Sequence, residues 1–324
     1  MIIDVIGDIH GYADKLVGLL QQLGYVHDGT RFMPPAGHRA LFIGDLVDRG
    51  SQQVATLEIV FAMLDADVAD AVMGNHEYNA LAFATLDPDN PTQYLRSHNE
   101  VHVRQHEAFL AELPFGSERH QYWLQRLYEI PLWIETEYAC FVHACWDVDS
   151  MAVLKPLLND DNCLTSHGLI ATSKEGSAAF DALERVLKGV ETPLPDGLVM
   201  IDKEGTKRSR VRVRWWLDEL ESRTLHEIAR APSSAMAQIP KDAMAENINF
   251  AIKTHKPVFV GHYWLTGMPE PLSQKVVCTD YSAAVDSGYL TCYQLDTQQP
   301  LPLKPENFVQ HRHDENIDIG RQPQ

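Results

Sequence analysis

Residues 2–16, IIDVIGDIHGYADKL, pass from a short apolar segment through a glycine-bounded turn into a helical pattern. The segment IIDVI at 2–6 has the length and composition of a mostly buried strand. Leu16, Leu19, Leu20 and Leu23 then recur at helical spacing until Gly24 ends the helix. The same plan returns twice. ALFI at 40–43 leads into a glycine turn, and the helix that follows is expected to take Ser51 as its N-cap and to bury Val54, Leu57, Phe61 and Leu64. VADAVM at 68–73 runs into GNHE, and YNALAFATL beyond it has a helical composition. Three strand-to-helix units in the first 85 residues predict an α/β sheet with helices on its faces.

Downstream the rhythm changes. After about residue 86 come polar, helix-favouring segments, and short apolar strands return at ACFV (139–142), PVFV (257–260), KVVCTD (275–280) and GYLTCYQL (288–295). The long stretch between His143 and Pro257 holds amphipathic pieces such as SAAFDALERVLKGV and a proline-rich turn, ETPLPDG. The strands on either side of it belong together, so it is expected to be a cap inserted at about 147–255 into a single domain of residues 1–296. The polar, proline-containing remainder, 297–324, is expected to be a loosely attached C-terminal tail.

Composition narrows the classes of function. The chain has 324 residues, 45% hydrophobic and 22% charged, an ordinary globular mixture. Its net charge of −18 opposes binding to a nucleic acid duplex, which requires many lysines and arginines on one face. No apolar run approaches the roughly 20 residues of a membrane span, and MIIDVIGDIHG lacks the basic region of a signal peptide, so no membrane partner and a cytoplasmic location are expected. The five cysteines are odd in number and unpaired in spacing, as befits reduced core thiols.

Five places share one further feature, a metal-type ligand just beyond a short apolar strand. They are Asp8 and His10 in GDIHG, Asp45 in GDLVDRG, Asn75 in GNHE, His143 in FVHAC and His262 in VGHYW. In an open α/β sheet the loops after the strands gather at one edge, where such ligands would converge. Two aspartates, three histidines and one amide oxygen make a mixed oxygen and nitrogen shell without thiolate. That shell suits manganese first, with iron, zinc or magnesium as alternatives. An aspartate between two ions can bridge them. Asp45 is the candidate, with Asp8 and His10 on the first ion and Asn75, His143 and His262 on the second.

GDIHG, GDLVDRG and GNHE, followed by single later histidines, resemble the calcineurin-like metallophosphoesterase superfamily. The DRG and the glutamate of GNHE make the chain most similar to the branch of serine/threonine phosphoprotein phosphatases and symmetrical diadenosine tetraphosphatases. The resemblance implies a central β-sandwich flanked by helices, with a mainly helical cap insertion. It also implies a dinuclear site on the six ligands, His76 as general acid, Asp48 as its partner and Arg49 as a phosphate ligand. Two divalent ions about 3.5–4 Å apart activate a water for in-line attack on phosphorus. A metal-dependent phosphatase acting on phosphomonoesters, in proteins or small molecules, is therefore expected, with a dinucleoside polyphosphate hydrolase on the same core as the alternative.

Departures from the pattern lie at HACWD and GHYW, where the walls facing the substrate are formed. KRSRVRVRWW alternates basic and apolar residues like a strand with one wet face. Arg212 or Arg214 within it, with Arg214 preferred, is the candidate second phosphate clamp. His98, His102 and His106 recur every four residues and read as a solvated helix face rather than a zinc patch; His311 and His313 read as incidental.

Overall fold

The computed structural model describes residues 1–195, 198–201, 207–231, 233–245, 248, 250–285 and 287–312. Its strands are β1 (Ile2–Ile6), β2 (His38–Phe42), β3 (Ala69–Ala71), β4 (Trp133–Glu135), β5 (Cys140–Val142), β6 (Val258–Val260), β7 (Val276–Cys278), β8 (Asp280–Tyr281), β9 (Tyr289–Asp296) and β10 (Phe308–His311), apart from short hairpins and the cap. One sheet runs in the order β8-β9-β1-β2-β3, with β10 on the other edge of β9. The second runs β7-β6-β5-β4. Within the first, β1, β2 and β3 are parallel; within the second, β5, β6 and β7 are parallel.

The two sheets face each other. Ile3, Val5, Leu41, Tyr293 and Leu295 of the first pack against Phe141, Phe259 and Val277 of the second. The Phe141 and Phe259 rings stack with centroids 5.3 Å apart. Burying each such side chain contributes roughly 1.5–3 kcal/mol. The alternate residues of β1 and β2, Ile6 and Phe42, join the larger core with helix α1 (Ala13–Gln22) and helix α2 (Gln53–Asp65). The sandwich flanked by helices is thus built from period-2 strands whose two sides are both apolar.

The chain start follows the expected strand, turn and helix closely. At α2 a difference appears: Gln52, not Ser51, precedes the helix and gives no side-chain cap. Instead Glu112, at the end of helix α4 (Glu100–Glu112), accepts hydrogen bonds from Gln53 N and Val54 N at 2.7 and 3.0 Å. A tertiary carboxylate replaces the local cap, which favours the positive end of the helix equally well. Helix α3 (Asn75–Ala84) includes the expected YNALAFA but begins three residues earlier, within GNHE.

The insert after β5 is helical at Val148–Leu154, Ser166–Thr172 and Ala178–Lys188, where Ser177 caps the last helix by accepting from Phe180 N. Beyond Lys188 it turns to short strands, Glu191–Pro193, Arg210–Val213 and Ala229–Arg230, paired in one small sheet. The segment after Thr297 is not loosely attached throughout. β10 pairs antiparallel with β9, from Tyr293↔Phe308 to Leu290↔His311, and the Phe308 ring meets Tyr293 edge-on at 4.9 Å. Covering an otherwise open sheet edge is the physical reason for that strand. His313 lies outside the described residues.

Candidate metal centre

Because β1, β2 and β3 run parallel, the loops after them leave at one edge, and their backbones are laced together. Ile9 N and His10 N donate to the Asp45 carbonyl at 3.1 and 2.8 Å, and Gly50 N donates to the His10 carbonyl at 2.9 Å. The approach is close enough to require glycine. A Cβ on Gly44, whose φ is +87°, would lie 2.4 Å from Gly74 N. Three ligand positions, His10, Asp45 and His262, have φ of 51°, 50° and 68°, the left-handed region that costs a non-glycine residue about 1–3 kcal/mol.

Asp45 is the hub. Its Oδ1 accepts from His76 N at 3.0 Å, which turns Oδ2 towards the histidines. Oδ2 lies 3.3 Å from His143 Nε2, 3.6 Å from His10 Nε2 and 3.9 Å from His76 Nε2. His143 Nε2 is also 3.3 Å from Asn75 Oδ1. Two groups of donors therefore share Asp45: His10 with His76, and His143 with His262. Asp8 stands beside them, its carboxylate accepting from His262 N with the shorter contact at 3.0 Å. All of these side chains are buried.

The donor atoms fit divalent cations. His10 donates Nδ1–H to the Val47 carbonyl at 3.0 Å and His143 to the Ile43 carbonyl at 2.6 Å, so each turns Nε2 inward. His10 Nε2 and His262 Nε2 are buried with no hydrogen-bond partner among the described residues. A buried polar atom left in that state costs about 1–3 kcal/mol, and a cation is the partner that imidazole lone pairs among carboxylates can take. With oxygen and imidazole donors alone, the set suits manganese, iron, zinc or magnesium.

Burial and neighbouring charges set the protonation of these groups. Burial, helped by the nearby Arg49, lowers His10 to about 3, which leaves it neutral and ligand-ready. Burial and Arg212 hold His262 well below its ordinary range. Burial alone would lower His143 too, yet the Asp45 and Asp8 carboxylates outweigh it and push it up to about 10. Burial would raise Asp45, but His143, His76 and His10 together hold it well below the usual carboxylate range. Asp8 is raised well above that range by burial and by the charge of Asp280.

Beside the hub, His76 donates Nδ1–H to Asp48 Oδ2 at 2.6 Å. Arg49 is exposed at the rim, its guanidinium carbon 4.1 Å from the centre of the Trp264 ring. Arg214 makes a different contact. It is engaged with the Glu227 carbonyl, and it is Arg212 whose charge is felt at His262. In the strand Arg210–Val213, Val211 and Val213 are buried while Arg212 lies on the opposite side, and Arg214 falls beyond the last paired residue. Alternation alone could not rank two arginines of the same face.

Three buried residues at the site were given no role by the sequence pattern. Glu77 accepts from Gly74 N, Asp45 N, Leu46 N and Val47 N at 2.9, 2.8, 2.8 and 3.2 Å, which ties the second motif to the third. Asp280 accepts from Trp264 N and, at 2.9 Å, from Ser282 N. His106 is 4% exposed and donates to Asp48, so it is no part of a solvated face. Its neighbours differ from it: His102 is partly exposed and bonds near the helix start, and His98 stacks between Phe83 and Tyr94. The glutamate directly after GNH was legible as a signal; the partner of His106 lies 58 positions away and was not.

Comparison with known proteins agrees with this geometry. The family model of the calcineurin-like phosphoesterases matches residues 1–134, and over this part the chain is similar to that family. It carries Asp8, His10, Asp45, Asp48, Arg49, Asn75 and His76; His143 and His262 lie beyond it and are brought in by the fold. The chain is 43% identical over 76 residues to a bis(5'-nucleosyl)-tetraphosphatase PrpE [asymmetrical] of Geobacillus sp. strain WCH70, which is 24% of this chain and 31% of that protein. The protein of the same name from Bacillus subtilis strain 168 is 34% identical over 76 residues, again 24% and 31%. The matched stretch thus spans about a third of these relatives' length. Among solved structures, a serine/threonine phosphatase from Saccharomyces cerevisiae with similarity to human phosphatase PP5 superposes with a TM-score of 0.50 at 14% identity, covering 98% of this chain and 82% of that one. That likeness concerns the fold.

Proposed function

We propose that the protein is a metal-dependent phosphoesterase that hydrolyses phosphomonoesters at this centre. The observation that carries the proposal is the meeting of His143 Nε2, His10 Nε2 and His76 Nε2 within 3.9 Å of one oxygen of Asp45. Asp8, His10 and Asp45 would hold one divalent ion, and Asp45, Asn75, His143 and His262 a second. When bound, the two ions supply Lewis acidity towards phosphoryl oxygens and a water acidic enough to attack at neutral pH.

The remaining work falls to the chain. Arg49, stacked on Trp264, presents a planar fork to two phosphoryl oxygens. Asp48 holds the Nδ1–H of His76, so that Nε2 faces the centre and delivers a proton to the leaving oxygen. Arg212, whose charge is felt at His262, takes the role of second phosphate clamp. The unit doing this is a single domain that runs from residue 1 through the edge strand Phe308–His311, with the insert at about 147–255 as its cap. A cytoplasmic setting suits five free buried cysteines. Among the described residues no helix is long and apolar enough to cross a membrane.

A second reading, hydrolysis of dinucleoside polyphosphates, is favoured by the names of the relatives that match the motif region. One experiment separates the two. The metal-stripped protein, re-supplied with manganese, is given p-nitrophenyl phosphate, phosphopeptides and diadenosine tetraphosphate in parallel. Preferred release from the monoesters supports the first, preferred cleavage of the tetraphosphate the second, and no turnover of any with any of the four metals refutes both. His76→Asn should retain metal while losing roughly 10²–10⁴-fold in kcat, the contribution of a positioned proton donor.

A further inference from the structure

Helix α4 brings a second histidine to the carboxylate that orients His76. His106 Nδ1–H donates to Asp48 Oδ1 at 2.7 Å while His76 Nδ1–H donates to Asp48 Oδ2 at 2.6 Å, so each oxygen of one buried carboxylate is taken by one imidazole. The His106 ring is clamped by Phe109, stacked at 4.8 Å, and by Phe83 at 5.1 Å. Among the described residues its Nε2 is buried without a partner, and the bond to Asp48 is the polar contact its ring makes. Asp48 itself sits at φ 68°, its own N–H donating to Gln53 Oε1 at 2.7 Å.

A carboxylate bonded through one oxygen can swing about its last torsion, and the imidazole it holds swings with it. Bonded through both oxygens, it has one plane. We propose that His106 is a positioning residue of the reaction: by occupying Oδ1 it locks the Asp48 carboxylate and so aims His76 Nε2 at the leaving oxygen. This rests on the proposal that His76 is the proton donor. Nothing in it requires His106 to touch substrate or metal. Nor does α4 depend on His106 alone for its place, because Glu112 ties the last turn of the helix to the start of α2.

The test compares leaving groups. His106→Phe keeps the packing and removes the donor; His106→Gln keeps a donor that can reach the carboxylate. Each variant is loaded with manganese, its metal content measured, and kcat and KM determined on p-nitrophenyl phosphate and phenyl phosphate. Phenolate leaves poorly and needs the proton, whereas p-nitrophenolate hardly does. His106→Phe should lose about tenfold or more in kcat on phenyl phosphate and severalfold less on p-nitrophenyl phosphate, with KM and metal content unchanged. His106→Gln should recover part of the loss. Equal losses on both substrates, or none, overturn the proposal. The two ideas fail separately: if His76→Asn collapses turnover of phenyl phosphate while His106→Phe keeps the wild-type ratio between substrates, only the role of His106 falls; if the wild type turns over neither ester, the phosphoesterase reading falls first.

Discussion

Glu77 is the side chain whose replacement tests the architecture of the site most directly. One oxygen of its carboxylate accepts from Asp45 N and Gly74 N, the other from Leu46 N and Val47 N. Glu77→Gln changes no volume but puts an NH₂ group where one of those oxygens was, facing two peptide donors. Two buried N–H groups then lose their acceptor at about 1–3 kcal/mol each, roughly 4 kcal/mol together. Against this, burial and the charge of Asp45 already raise Glu77 above its ordinary range, so a neutral side chain recovers part of that, and about 3 kcal/mol of destabilisation remains. With about 2.1 cal/mol/K per residue of unfolding entropy, some 0.7 kcal/mol/K for the whole chain, the midpoint should fall by about 4 °C. Differential scanning calorimetry of the manganese-loaded protein reads it. A midpoint within about 1 °C of the wild type would mean that the GDLV loop does not need its acceptor, and the account of how Asp45 is held at φ 50° would be wrong.

Asp45→Asn removes a charge shared by both donor groups, so manganese content after equilibration should fall from about two ions per chain to one or fewer, as read by elemental analysis. Two ions retained at wild-type affinity would refute the hub role. Metal binding should also depend on pH with a definite sign. His143, raised to about 10, carries a proton at neutral pH that a cation must displace, so the apparent affinity should rise about tenfold per pH unit from 6 to 8. Titration calorimetry showing an affinity flat over that window would exclude the displacement.

The parts of the fold that were legible in the sequence are those where one local pattern sufficed. IIDVI, the leucines of α1 and the glycines after each strand specify strand, turn and helix without reference to anything distant, and the ligands sit where parallel strands must release their loops. What escaped notice depended on partners remote in sequence. Ser51 had the chemistry of a cap, but the start of α2 is served by Glu112 from α4. His106 followed the spacing of a wet face, but α4 packs that position against Asp48. Arg212 and Arg214 alternate alike in the sequence, and only the third dimension shows that Arg212 is felt at His262 while Arg214, beyond the end of the strand, donates to the Glu227 carbonyl. The segment after Thr297 was polar enough for a tail, yet an edge strand needs few apolar residues to pair.

The supports just named explain why so many of them are needed. Holding His10, Asp45, Asp48 and His262 in the left-handed region costs on the order of 1–3 kcal/mol at each position, which an isolated loop would escape by relaxing to an ordinary conformation. Each strained residue has a hydrogen bond that opposes that relaxation: His10 N to the Asp45 carbonyl, Asp45 N to Glu77, Asp48 N to Gln53, His262 N to Asp8. Asp8 therefore acts twice, as a candidate ligand and as the acceptor that fixes the backbone of another candidate. Its loss should disturb His262 as well as the first ion, whereas a carboxylate that served only as a ligand would leave the loop of β6 undisturbed. The strand-end motifs supply the ligands, and the carboxylates and amide behind them keep those ligands in conformations the motifs alone would not hold.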